Sequence, residues 1–148
     1  NLTNQDQKAS VAPSVESPLS QKELADPVKY ARKALTLGKN SAKAIRLLRG
    51  PARSGDLEAS RLLGTVYYRA KEYEQARSWF QSSAKGGDVE AQRFLGMIFF
   101  LGQGVEQDYS QASHWLGKAS AGGDTQAPRY LRIVEQFYKS ETIGTEAP

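Results

Sequence analysis

The sequence contains no cysteine and only one histidine among its 148 residues. Without cysteine the chain can form neither disulfides nor thiolate metal sites. The histidine, His114, has no Asp or Glu at a recurring ligand spacing, so we expect it to be an exposed helix position rather than a metal ligand. No apolar run approaches the roughly 18 residues of a membrane-spanning helix, and mean hydropathy is −0.57. We therefore expect neither a metal site nor a membrane span.

Recognised catalytic motifs are also missing. The nucleophile motif Gly-x-Ser-x-Gly does not occur, and Gly117-Lys118-Ala119 lacks both the upstream glycine and the Ser or Thr of a phosphate-binding loop. No set of residues for acid–base or nucleophilic catalysis stands out. The sequence therefore predicts a protein that is not an enzyme and that binds no cofactor.

What the sequence does contain is an internal repeat. The dipeptide Gly-Asp occurs three times, at intervals of 32 and 36 residues. Alanine and leucine recur in the same register, and a period of this size is typical of stacked helical arrays. The recurring positions are Gly55-Asp56, Gly87-Asp88 and Gly123-Asp124, then Ala59, Ala91 and Ala127, then Leu63, Leu95 and Leu131.

The longer interval comes from four extra residues in one loop, 102–108, with the sequence GQGVEQD. We interpret this loop structurally. Its glycines supply positive φ angles, Val105 fills the core and Asp108 caps the next helix. Loops can lengthen in this way without disturbing the packing of the helices that they join.

The repeated unit A-x-x-x-LG-x-x-(Y/F)-(Y/F)-x-G-x-GV-x-x-D-x-x-x-A-x-x-W-(L/F)-x-x-(A/S)-x-x-GD resembles the Sel1-like repeat, a relative of the tetratricopeptide repeat. The best copy covers 91–124 and a copy without the glycine loop covers 59–88. A degenerate copy precedes them and a half-copy follows. The resemblance implies an all-α fold, a right-handed α-solenoid of stacked antiparallel helix pairs with about seven helices.

These features divide the chain into three regions. Residues 1–25 are rich in Ser, Gln, Asn and Pro, which predicts a disordered or extended polar tether. Residues 26–140 form the repeat domain, and 141–148 are expected to be a flexible tail. Arg132 stands where Gly64 and Gly96 stand in earlier units, which predicts a polar-faced terminal cap. Within the domain the repeats cover about 27–56, 57–88 and 89–124, with a capping helix at 125–139.

A ladder of cations beside apolar residues is the candidate partner-binding site. Four basic residues are register-equivalent, and apolar or aromatic residues follow one or two turns later on the same face. Such a face would suit an extended or helical segment with acidic character. The alternative is an ordinary solvated helix surface. The candidate residues are Lys29, Arg61, Thr65, Tyr68, Arg93, Met97, Phe100 and Arg129, with Ile133 in the same stripe.

The first helix pair offers a second candidate surface. Residues 27–55 carry eight basic side chains and no acidic one, a charge of +8, whereas the segments on either side each carry −2. Such a patch could bind a polyanion such as nucleic acid, anionic lipid or acidic glycan, although no nucleic-acid signature is present. Besides Lys29, the patch consists of Arg32, Lys33, Lys39, Lys43, Arg46, Arg49 and Arg53.

Proteins that resemble this repeat act as adaptors in multiprotein complexes, often at the bacterial cell envelope. We therefore expect a protein–protein adaptor or scaffold that binds one partner segment in a concave groove, with polyanion binding as the alternative. The polar tether and a first residue other than Met lead us to expect a periplasmic or otherwise extracytoplasmic location, with the cytoplasm as the alternative. Homo-oligomer formation through the N-terminal helix pair is left open.

Overall fold

The computed structural model describes residues 17–38 and 40–144, which form eight α-helices and no strand. From α2 onward these make three helix pairs, α2–α3, α4–α5 and α6–α7, followed by α8. Each helix packs against the next, so the pairs stack in chain order. The predicted all-α solenoid is confirmed. The bounds are α1 Gln21–Ala25, α2 Pro27–Thr36, α3 Ser41–Arg53, α4 Leu57–Arg69, α5 Tyr73–Lys85, α6 Val89–Leu101, α7 Tyr109–Ala121 and α8 Ala127–Gly144.

The recurring Gly-Asp dipeptide ends one unit and starts the next. Each glycine has a positive φ (94°, 102° and 96°), which L side chains adopt only with strain. The aspartate that follows accepts a hydrogen bond of 2.8 Å from the backbone N–H three residues further on, and so caps the next helix. One dipeptide therefore supplies both the turn and the cap at Gly55-Asp56, Gly87-Asp88 and Gly123-Asp124.

Small residues lie where helices approach closely, and large ones fill the space beside them. A Cβ on Gly64 would lie 2.7 Å from the Phe80 ring, and one on Gly96 would lie 2.7 Å from Leu116 Cγ. The recurring alanines 59, 91 and 127 are fully buried. Three core clusters result, and they follow one another along the stack of units.

The glycine-rich loop has the structural role predicted for it. Gly102 and Gly104 have φ angles of 65° and 64°. Val105 packs against the second core cluster, and Asp108 caps α7 through the backbone N–H of Gln111 at 2.9 Å. The loop is thus part of the packed array.

Two parts of the predicted organisation are wrong. Residues 21–25 are not disordered or extended: they form α1, because Ser20 and Glu23 make a reciprocal capping box. The last helix does not end at Lys139 but continues to Gly144, since no glycine or proline interrupts it earlier. The helix count is therefore eight among the described residues. The remaining parts of the predicted tether and tail, 1–16 and 145–148, lie outside those residues.

The face of α8 that carries Arg132 is polar along much of its length, but Ile143 on the same face is 73% exposed. The polar-faced cap therefore stays a prediction. Arg132, at the position of Gly64 and Gly96, is exposed, and so are Glu135 and Gln136. In the earlier units Gly64 and Gly96 face the second helix of the pair. A long charged side chain at position 132 would keep another helix from packing there.

Candidate functional site

Two arginines of the predicted ladder, Arg61 and Arg93, each join one unit to the next. The Nε of Arg61 donates to Oδ2 of Asp88 over 3.0 Å, and its Nη1 lies 2.8 Å from Glu90 Oε2. The Nε of Arg93 donates to Oδ2 of Asp124, also over 3.0 Å. Their side chains are only 20% and 12% exposed. Much of their hydrogen-bonding capacity is therefore used within the protein.

Each of these aspartates has two roles at once. In Asp124, Oδ1 caps α8 through the N–H groups of Gln126 and Ala127, while Oδ2 accepts from Arg93. Partial burial works to raise the pKa of the Asp124 carboxyl, but these hydrogen bonds outweigh it and hold the pKa below its ordinary value. The carboxylate is thus a stabilising element of the junction. This role is hard to predict from sequence, because the arginine and its aspartate are 27 residues apart in one unit and 31 in the next. The two separations differ by four residues, which is the length of the loop insertion. This match is the signal in the sequence that points to the pairing.

The first unit departs from this arrangement. Lys29, which corresponds to Arg61, is exposed and forms no ion pair with the residues that the structure describes. One turn later, Arg32 donates from Nε to Glu58 Oε1 over 2.8 Å. Asp56 still caps α4, and this aspartate lines the same open hollow as Lys29.

Lys29→Arg is therefore expected to supply the missing link between the first two units. A guanidinium at position 29 can pair with Asp56 as Arg61 does with Asp88, and should raise the free energy of unfolding by up to about 1 kcal/mol. Urea denaturation monitored by circular dichroism measures the change. Lys29→Gln is the control for loss of the lysine. A variant no more stable than wild type would show that the geometry of this junction differs from that of the later ones.

Apolar residues on the first helices form the rest of the predicted site. Met97 and Ile133 occupy equivalent positions, are half-buried, and belong to none of the three core clusters. Phe100 lies beside them, and its ring contacts that of Phe137, which is 50% exposed, with centroids 5.4 Å apart. Thr65, in the corresponding place on α4, donates its hydroxyl to Arg61 O at 3.0 Å. We call Thr65, Met97, Phe100 and Ile133 the apolar stripe.

Tyr68 is held differently from the stripe. Its ring makes edge contacts with Tyr73 and Phe80, and its hydroxyl donates to Oε1 of Gln103 over 2.7 Å. The side chain therefore fastens the glycine-rich loop to the preceding unit. Arg129, the last member of the ladder, is exposed on α8.

The basic patch of the first pair is less open than its charge suggests. Acids from outside residues 27–55 fold onto it: Glu58 pairs with Arg32, and Glu23 pairs with Lys43. The hydrogen bond from Lys43, with further ones from Ser20, lowers the pKa of Glu23 to about 2. Arg46 bonds to the carbonyl of Ser17. Three further patch residues, Lys33, Arg49 and Arg53, are exposed, while Lys39 lies outside the described residues.

The described residues contain no cluster of side chains that could hold a metal ion. His114 is exposed, and its ring stands edge-on to Trp115 with centroids 5.3 Å apart. In the part of the chain that the structure describes, no three His, Asp or Glu residues converge as metal ligands. Over the same residues no helix is both long and apolar enough to cross a membrane.

Helix pairs that stack in sequence, joined by recurring arginine–aspartate pairs, define an α-solenoid. The Sel1 repeat model matches residues 58–88 and 89–124. The structure of a Sel1 repeat protein from Oxalobacter formigenes is 30% identical, with a TM-score of 0.63, over 75% of this chain and 89% of that one. The chain belongs to the Sel1 repeat family, whose members are generally protein–protein interaction modules and non-catalytic scaffolds.

A second similar structure is c5321, a protective antigen present in uropathogenic Escherichia coli strains that displays an SLR fold. It is 28% identical with a TM-score of 0.71, and the match covers 78% of this chain. The same match covers 26% of c5321, so this chain spans about a quarter of that protein. No curated protein sequence matches the chain significantly.

Proposed function

We propose that this chain is a non-catalytic adaptor that binds a segment of a partner protein along the apolar stripe, within a multiprotein complex of the bacterial envelope. The observation that carries the proposal is the position of Met97 and Ile133. Both are aliphatic side chains at equivalent places in successive units, and neither serves the core. Apolar residues that recur on one face outside the core are typical of a binding surface.

The charges near the stripe suggest what the partner carries. Lys29 and Arg129 are exposed on the first helices of the first and last units, while Arg61 and Arg93 between them are tied to Asp88 and Asp124. An acidic segment can therefore pair with the two outer cations while its apolar side chains contact the stripe. The family and the bacterial sources of the similar structures support this proposal.

The test should leave Arg61 and Arg93 in place, because reversing them would also break the junctions between units. We would introduce Met97→Asp with Ile133→Asp and capture partners from a nuclease-treated extract of the native cell. Each captured protein would be identified, purified and titrated by calorimetry. The stripe variant is expected to bind at least about tenfold more weakly, which corresponds to about 1.4 kcal/mol.

A matched control places two new aspartates on second helices, Gln75→Asp with Gln111→Asp, at positions that are exposed. This control should bind the partner as wild type does. Equal affinity for wild type and the stripe variant would refute the proposed site.

Polyanion binding through the basic patch is the competing function, and Lys33, Arg49 and Arg53 are among the exposed cations of the patch. It predicts that the captured ligand is a nucleic acid, lipid or glycan, that binding weakens steeply with salt, and that the stripe variant binds unchanged. The pairing of Arg32 and Lys43 with acids favours the protein-binding function.

A further inference from the structure

The glycine-rich loop of the third unit covers the beginning of α5, the second helix of the unit before it. Gly104 approaches α5 so closely that a Cβ there would lie 2.8 Å from the backbone N of Glu74 and 2.8 Å from Cβ of Tyr73. Val105 packs against the core, and Gln103 accepts the hydrogen bond from Tyr68. The start of α5 is thus sealed by a glycine segment with one aliphatic side chain.

The second unit has no such loop. Only residues 70–72 separate α4 from α5, so the start of α3 is left uncovered. A hollow of about 270 Å³ lies there. Ser41 and Ala42, which form its floor with Ile45, correspond to Tyr73 and Glu74 in the next unit. Its other side is formed by Val66, Tyr67 and Ala70 at the end of α4.

One cation at the hollow can pair with an acidic occupant. Of the residues that line it, Arg69 is basic and Glu72 is acidic, and both are exposed. In the covering loop of the third unit, Glu106 follows Val105 directly. An aliphatic residue followed by an acidic one therefore matches the apolar lining of the hollow and can pair with Arg69.

We propose that this hollow is a docking site for a loop of a partner protein that carries glycine and a β-branched aliphatic residue followed by an acidic one. Such a loop would occupy the place that the loop 102–108 fills in the next unit. The inference rests on the proposed function only in taking the chain to be a protein-binding module, because the hollow and the apolar stripe share no residue.

A peptide with this chain's own loop sequence, LGQGVEQD with blocked ends, is the probe. Added to isotopically labelled full-length protein, it should change the amide chemical shifts of Ala42, Ile45 and Ala70, with a Kd on the order of 1 mM for so short a ligand. A control peptide with aspartate in place of its valine should bind at least about tenfold more weakly. No shift change at millimolar peptide, or equal changes with both peptides, would overturn the proposal.

Variants of the protein then locate the site. Ala42→Phe fills the hollow and should abolish the peptide-induced shifts, while Ala121→Phe, at an exposed position on α7, should leave them unchanged. The stripe variant should bind the peptide as wild type does, so loss of stripe binding and loss of hollow binding are separate results. If sedimentation shows a dimer that Ala42→Phe dissociates, the occupant is a second copy of this chain and the partner-loop proposal is wrong.

Discussion

Gly96→Ala is expected to lower the free energy of unfolding by about 2 to 3 kcal/mol, through overpacking between α6 and α7. The new Cβ would lie 2.7 Å from Leu116 Cγ and 3.1 Å from the carbonyl oxygen of Ala112. Leu116 is fully buried and the carbonyl belongs to the backbone, so neither can easily move away. Gly64→Ala should have a similar effect, because three atoms of the buried Phe80 ring lie within 2.9 Å of its added Cβ.

The control for this prediction is a third helical glycine, Gly117 on α7. An added Cβ there meets no atom within 4 Å. Alanine has the higher helix propensity and restricts the unfolded chain, so Gly117→Ala should raise the free energy of unfolding by about 0.5 to 1 kcal/mol. Urea denaturation of the three variants gives the comparison. The same sign of change at Gly96 and at Gly117 would show that close helix approach is not what requires glycine in this repeat.

The sequence predicts most of the fold because each unit repeats the same local sequence pattern. The bounds of α6 and α7 follow from an apolar period between a capping aspartate and a glycine. Helix α1 was missed because it has no apolar period. Its Ser20 and Glu23 form a capping box, which is a local signal, but the helix is held in place by the pair of Glu23 with Lys43, which sequence does not show.

The sequence predicts which residues of the candidate site are equivalent, but not which groups they contact. Equal spacing places Arg61 and Arg93 at equivalent positions on one helix face, and this follows from the sequence. Which group each guanidinium meets depends on how far one unit is rotated and shifted relative to the next. That offset brings the next Gly-Asp junction to the arginine. The ladder therefore contributes first to the stack itself, and its role in partner binding stays a prediction.

Asp124→Ala is the second large effect that we expect, with a loss of about 3 kcal/mol in the free energy of unfolding. The substitution removes the cap of α8, which is worth about 1 kcal/mol. It also leaves the largely buried guanidinium of Arg93 without its nearest partner, which should cost a further 1 to 3 kcal/mol, roughly. Glu90 lies 3.8 Å from the same guanidinium and can compensate only in part.

Asp108→Ala is the matched control for the cap. Asp108 also accepts a backbone hydrogen bond at the start of a helix, at 2.9 Å, but it is exposed and forms no ion pair within the described part of the chain. Its loss should therefore cost only the cap, about 1 kcal/mol. The excess cost at Asp124 measures the junction between units, and a double-mutant cycle with Arg93→Gln assigns that excess to the pair. Equal costs at the two aspartates would mean that the ion pair contributes nothing to stability.

The pH dependence of the same variant gives an independent measurement. The pKa of Asp124 is lower in the folded chain than its ordinary value, because the hydrogen bonds from Arg93 and from backbone N–H groups favour the charged form despite partial burial. Its contribution to stability is therefore fully present above the unfolded-state pKa of about 4 and is lost as the pH falls through the folded-state value. The difference in unfolding free energy between wild type and Asp124→Ala should be constant near neutral pH and shrink below about pH 4. A difference that stayed constant into acid would show that the carboxylate charge is not what joins α8 to the unit before it.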